Sequence, residues 1–223
     1  RVNIGHLLTS AKMATATQDA TMQIFSGDIS DAQDVVPLAV VPVKSSLNFT
    51  ILGSTVLPSV VTGKKTVSIP RNRIFTVRWS GTRYLSGVDG VISLTHTSTT
   101  KKYRYGQMQF KAVKDATLGY RIEVTNSVRL SDEYLWGISE VPSSWPEAAL
   151  QAQAIASRTY AISKAGIYRT ACDCDLYGEI SDQSFLGYAK EIEKGWGKFW
   201  KAAVTNTAGL TITQAGAPIT AYF

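Results

Sequence analysis

The chain has 223 residues, 44% of them hydrophobic and 18% charged, a balance ordinary for a globular protein with a sizeable core. Its longest apolar run, Val35 to Val43, is broken by Pro37 and Pro42 and falls far short of the roughly 20 residues that a membrane-spanning helix needs, so no membrane span is expected. The formal charge of +6 and pI of about 9.3 favour an anionic partner: nucleic acid, anionic lipid or an acidic cell-wall polymer.

The N-terminal stretch after Arg1, VNIGHLLTSAK, lacks the continuous apolar region of a secretory signal; an exported protein would be represented here by its mature form or a fragment. Up to about residue 130 the pattern is that of strands. TMQIFSG (21–27), LNFTIL (47–52), KTVSIP (65–70), RIFTVRWSG (73–81) and GVISLTH (90–96) are rich in β-branched and aromatic residues and are separated by Gly, Asp, Ser or Pro. Lys64-Lys65 and Lys101-Lys102-Tyr103-Arg104 fall at hairpin ends, where solvated turns explain them. No nucleic-acid-binding spacing accompanies them, and nucleic acid is not the expected partner. YRYGQMQFKAV (103–113) and the alternating set Tyr120, Ile122, Val124, Asn126, Val128, Leu130 predict paired antiparallel strands around a turn at 114–117.

Composition changes after Leu130. Ser131-Asp132-Glu133 suggests a capped short helix, and SEVPSSWPEAALQAQAIASRTYA (139–161) leads into the longest helical segment. Ser144-Trp145-Pro146-Glu147 fits a capping box, with the helix running to about Lys164 and stopping at Gly166. Gln153, Ser157, Tyr160 and Lys164 fall on one stripe of it and Glu147, Gln151 and Arg158 on another. Two solvent faces are the simplest reading, and a groove-facing stripe is the other. Cys172 and Cys174, the only cysteines, leave a disulfide, free thiols or a metal open, although His6 and His96 lie far off in sequence. GKFWKAAVTNTAG (197–209) predicts a further helix, and residues 214–218 a hairpin turn. The fold class is therefore α+β: mostly antiparallel strands in the N-terminal part (1–100, a possible subdomain of the same unit), with a central alanine-rich helix and further helices in 101–223.

Standard nucleophile and phosphate-binding patterns are absent: there is no G-x-S-x-G, HExxH, P-loop or GxGxxG. Carboxylates remain. Glu140 stands out because Pro142 pushes Val141 towards an extended backbone and stiffens the turn that carries it. By residue type alone, a Glu in a turn is more often a surface charge. Trp136 and Trp145 have two readings, stacking on a ligand and core filling, of which core filling is the commoner.

LSDEYLWGISEVPSSWPEAALQAQAIASRTYA (130–161) resembles the core motif of the SpoIID/LytB domain family, in which an E-M-P turn precedes an alanine-rich helix ending in R-T-Y-A. DQSFLGY (182–188) resembles the family's later Q-x-Y-x-G segment, and 203–223 its closing helix and hairpin; roughly 100–223 is covered. The resemblance implies a peptidoglycan lytic transglycosylase that cuts MurNAc–GlcNAc bonds to 1,6-anhydromuramyl ends, or a LytB-like module that binds the wall and stimulates an amidase. It makes Glu140 the catalytic acid, kept protonated by partial burial, with Val141 in place of the family's usual Met. Gln153, Arg158, Tyr160 and Gln183 match its polar positions and become candidate substrate-binding residues together with Ser144; Arg158 could equally anchor the turn around Glu140. Some members bind zinc through a Cys/His cluster, but here no His accompanies Cys172 and Cys174, so no metal and no cofactor is expected. The partners implied are peptidoglycan glycan strands and a cell-wall amidase, the location is extracytoplasmic, and the chain is expected to stop short of the family's Ser/Gly-rich C-terminal segment.

Overall fold

Twelve strands precede the first α-helix in the computed structural model, which describes residues 1–223. They are β1 (Val2–Leu8), β2 (Ser10–Thr15), β3 (Met22–Ser26), β4 (Ala39–Val41), β5 (Ser46–Leu52), β6 (Thr55–Thr62), β7 (Lys65–Ser68), β8 (Ile74–Trp79), β9 (Ile92–His96), β10 (Thr99–Tyr103), β11 (Gln107–Asp115) and β12 (Gly119–Ser127). The helical part follows: a π-helical turn at Leu130–Tyr134, α1 (Glu147–Lys164), the short strand β13 (Leu176–Tyr177), α2 (Tyr188–Glu191) and α3 (Gly197–Asn206). A two-residue hairpin, β14 (Thr213–Gln214) and β15 (Ala217–Pro218), comes last. This is the α+β architecture the sequence indicates.

Apart from the β14-β15 pair, the strands form two sheets, a seven-stranded one in the order β13-β1-β12-β11-β8-β3-β4 and a six-stranded one in the order β10-β9-β2-β5-β6-β7. Every pairing is antiparallel except that of β1 with β13. Period-2 alternation sets which face is buried. On β6, Val56, Pro58 and Val60 point inwards while Thr55, Leu57 and Ser59 point outwards. Across the outer face of the smaller sheet the register aligns Thr95, Lys12, Asn48, Ser59 and Ser68, a polar row facing water. The inner faces meet where the ring of Phe49 on β5 stacks on that of Phe110 on β11, centroids 3.7 Å apart and 9° from parallel. Both are fully buried in one cluster of 37 core residues that continues into α1 and α3. The larger sheet draws strands from both sides of residue 100.

Helix ends are where expectation and structure diverge. The capping box is absent: the residue before α1 is Pro146, no side chain caps the helix, and the Glu147 carboxylate accepts from Gln151 Nε2 at 2.8 Å instead. Ser144 sits in the preceding turn, two residues too early to cap. At the other end the helix stops as expected, with Gly166 at φ +83°. In the π-helical turn the Glu133 carboxylate accepts from the Arg129 amide, and the Arg129 guanidinium lies against Asp132. α3 ends at Asn206, three residues before Gly209, and the last hairpin turns on Ala215 and Gly216 alone.

Cys172 and Cys174 are joined as a disulfide with Cα atoms 5.2 Å apart. Their loop docks on β1, since Asn3 Nδ2 donates to the Cys172 carbonyl and Asp173, fully buried, pairs with Lys111 Nζ of β11 at 2.7 Å.

Replacing Phe110 by Ala removes one half of the contact between the sheets. The expected cost is about 3–5 kcal/mol, measured as the loss of unfolding free energy in urea.

Candidate functional site

Glu140 is placed by a short pairing of two loops. Ser139 N donates to Ser184 O at 2.8 Å, Leu186 N donates to Gly137 O at 2.8 Å, and Ile138 lies opposite Phe185. The two apolar residues are buried and pin the segments to the core. Gly137 is required for this approach, because a Cβ there would lie 2.4 Å from the Phe185 ring. Where the pairing ends, the Glu140 side chain takes over: its Oε1 accepts from the Ser184 amide at 2.6 Å. The carboxylate is exposed, so the partial burial expected of a protonated acid is not present.

Beneath the turn lies a buried cation. Lys190 of α2 is 1% exposed, and its Nζ donates to Val141 O at 2.6 Å and to Glu193 Oε2 at 2.8 Å. The same Glu193 oxygen accepts from the amide (3.1 Å) and the hydroxyl (2.6 Å) of Ser143. Desolvation raises the Glu193 pKa, but the hydrogen bonds from Lys190 and Ser143 outweigh it and hold the carboxyl below its ordinary value. The proline turn is thus tied down on both sides of Pro142.

The residues matched to the family's polar positions mostly serve the architecture. Gln183 is fully buried; its Oε1 accepts from the Tyr134 hydroxyl at 2.8 Å and its Nε2 donates to Ser157 O at 3.3 Å, which fixes the residue next to Ser184. Burial, followed by the charges of Asp182 and Glu140, pushes the Tyr134 hydroxyl well above its ordinary pKa and keeps it a donor. Tyr160, 6% exposed, donates to Asp182 Oδ1 at 2.7 Å. Half-buried Gln153 donates to Ser157 Oγ at 3.2 Å, and Ser144 is exposed.

Arg158 departs furthest from expectation. It faces neither solvent nor a groove, and its partners are not on the turn around Glu140. It is 3% exposed and donates to Val204 O and Leu210 O, each at 3.0 Å, at the C-terminal end of α3. The carbonyls left free at a helix end need donors, and a guanidinium supplies several in one plane. The stripes of α1 are therefore not two solvent faces, since Ser157, Arg158 and Tyr160 are all buried.

Residues 119–214 match the family model SpoIID, Stage II sporulation protein. The matched segment begins at the first residue of β12 and contains Glu140, the Lys190 clamp and Arg158, and the match supports a peptidoglycan-related role for it. No curated protein matches the chain. No helix is long and apolar enough to cross a membrane.

Within the matched segment the sequence passes over several contributors. Lys190 and Glu193 lie in AKEIEK, which reads as an ordinary charged surface, and Ser184 acts through its amide, which carries no residue signature. Asp182 is held by Arg169 Nη2 at 3.0 Å and by the Tyr177 amide at 2.8 Å as well as by Tyr160. Desolvation raises its pKa, but these hydrogen bonds outweigh it and the carboxyl lies below its ordinary value.

A carboxyl depressed in the folded state contributes stability that is complete above its unfolded pKa of about 4 and is lost as pH falls through the folded value. Asp182→Asn should be less stable at neutral pH and should show a smaller shift of its urea midpoint between about pH 7 and about pH 3 than the wild type. Arg158→Met, which leaves the end of α3 without its donors, should cost about 2 kcal/mol of unfolding free energy, and Arg158→Lys should recover only part of it.

Proposed function

We propose that the SpoIID segment is a peptidoglycan lytic transglycosylase acting outside the cytoplasm, with Glu140 as acid and then base. One observation carries this reading. Every other carboxylate from 119 to 214 is engaged by a cation or a side-chain donor, as in Asp132 with Arg129, Glu191 with Lys201 and Glu147 with Gln151. Glu140 accepts from a backbone amide alone and stands at the surface on a clamped turn. It is the one carboxylate of this stretch that no cation and no other side chain holds.

A single carboxylate suffices for this reaction. Protonated Glu140 donates to the oxygen of the MurNAc–GlcNAc bond as an oxocarbenium-like centre forms at C1. The carboxylate then takes the proton of the muramyl 6-hydroxyl, whose oxygen closes on C1 to give the 1,6-anhydro ring. Because the attacking group belongs to the substrate, no carboxylate is needed to activate water. A glycan strand lying over exposed Glu140 supplies the exclusion of water that the free protein lacks. Gln153 and Ser144 face the strand, while Gln183, Tyr160 and Arg158 position the elements that carry the site.

The exposure of Glu140 favours a second reading, a non-catalytic module that binds the wall and stimulates an amidase. Denuded glycan strands incubated with the protein should yield anhydromuramyl products by mass spectrometry, reduced at least about 100-fold in Glu140→Gln. An empty trace for both proteins would reject the enzyme. Wall binding that survives Glu140→Gln, with stimulation of an amidase and no products, would select the module.

A further inference from the structure

Between the first turns of α1 and α3 lies a cleft of about 330 Å³ whose aromatic lining none of the roles above uses. Its walls are Trp145, Trp196 and Phe199, which are 49%, 47% and 45% exposed; its rim carries exposed Ser144 and Glu147, and the buried Ser143 of the clamp lies behind them. Large aromatic side chains normally bury most of their surface. Trp79 and Trp200 do so here, fully buried and donating their indole N–H groups to the carbonyls of Arg104 and Leu135. Trp145 and Trp196 do neither, and Trp196 lies tilted by 36° against Phe199 with centroids 5.7 Å apart.

We infer that this cleft is a saccharide subsite in which the aromatic walls stack on the C–H faces of sugar rings while the Ser144 hydroxyl and Glu147 meet the ring substituents. Three features select that occupant. The volume lies at the small-ligand end of the range for binding pockets and is too small to seat a protein helix 10–12 Å across. The rim is polar directly beside the aromatic faces, whereas a bilayer-inserting surface keeps its apolar side continuous. Glu147 at the rim accepts hydrogen bonds from hydroxyls and repels anionic head groups.

The cleft is also continuous with the turn that carries Glu140. Ser143 behind the rim is bonded to Glu193, and Trp196 follows three residues later. A sugar held here is therefore held on the same rigid unit as Glu140. That the sugar is an amino sugar of a glycan strand rests on the transglycosylase reading.

Titration with an N-acetylglucosamine tetrasaccharide, followed by tryptophan fluorescence, should give a saturable change. Trp145→Ala and Phe199→Ala should each weaken binding about tenfold or more, Trp145→Phe should keep most of it, and Glu140→Gln should leave it unchanged. No saturable change, or one that persists in the double variant Trp145→Ala/Phe199→Ala, overturns the inference. So does self-association of the wild type that these variants abolish without any saccharide binding, which assigns the cleft to a second copy. Assay on denuded glycan strands separates the two ideas. Tetrasaccharide binding without products defeats the transglycosylase and leaves the subsite. Products formed with an unchanged KM in variants that no longer respond to tetrasaccharide defeat the subsite and leave the enzyme.

Discussion

A lysine ammonium with almost no access to water is the constraint on which the site depends. An isolated buried ammonium is costly, and Lys190 is tolerated because a carbonyl and a carboxylate take up its charge. Those acceptors come from two segments distant in sequence, so satisfying the lysine obliges the 141–143 turn and the 190–193 loop to lie together. Glu140 leaves the turn at one end and α1 leaves it at the other. The direction of both follows from a single electrostatic requirement.

The polar residues of α1 and its surroundings divide into those that hold the frame and those that remain free. Arg158 terminates α3, Gln183 joins Tyr134 to the Ser157 carbonyl, and Tyr160 completes the cage around Asp182. Each is a good ligand type in isolation, and each is already occupied by the protein. A buried polar group left unpaired is expensive, so side chains this deep are partnered internally before any substrate arrives. What remains at the surface is smaller: one carboxylate on a backbone amide, the hydroxyl of Ser144 and a set of aromatic rings.

Local pattern made much of this legible. β-Branched and aromatic runs between turn residues located β3, β5, β7, β8 and β9, period-2 alternation located β11 and β12, and proline, glycine and alanine content located α1 with its correct C-terminal stop. β6 was hidden because Pro58 stands in its middle; its position opposite Phe49 is tolerated because the carbonyl still accepts from Ile69 N. β1 was hidden by Gly5 and a mixed composition, β10 by its run of Thr and Lys. The capping box misled because the S-x-P-E spacing is compatible with a turn that ends at Pro146, and nothing local chooses between the two. The clamp and the loop pairing at Glu140 were illegible for a deeper reason: both join residues about fifty apart through backbone atoms, which every sequence possesses.

The place of β1 bears on how the molecule is made. It lies between β12 and β13, so β1 meets its two neighbours only after residues 119–127 and then 176–177 have followed it. Until then VNIGHLL has both edges open. Pairings of such sequence separation form slowly, and unpaired apolar edges attract other chains while they wait. The nascent chain must carry this strand unsheltered while more than a hundred further residues are made, and its yield will depend on what shields the strand in the interval.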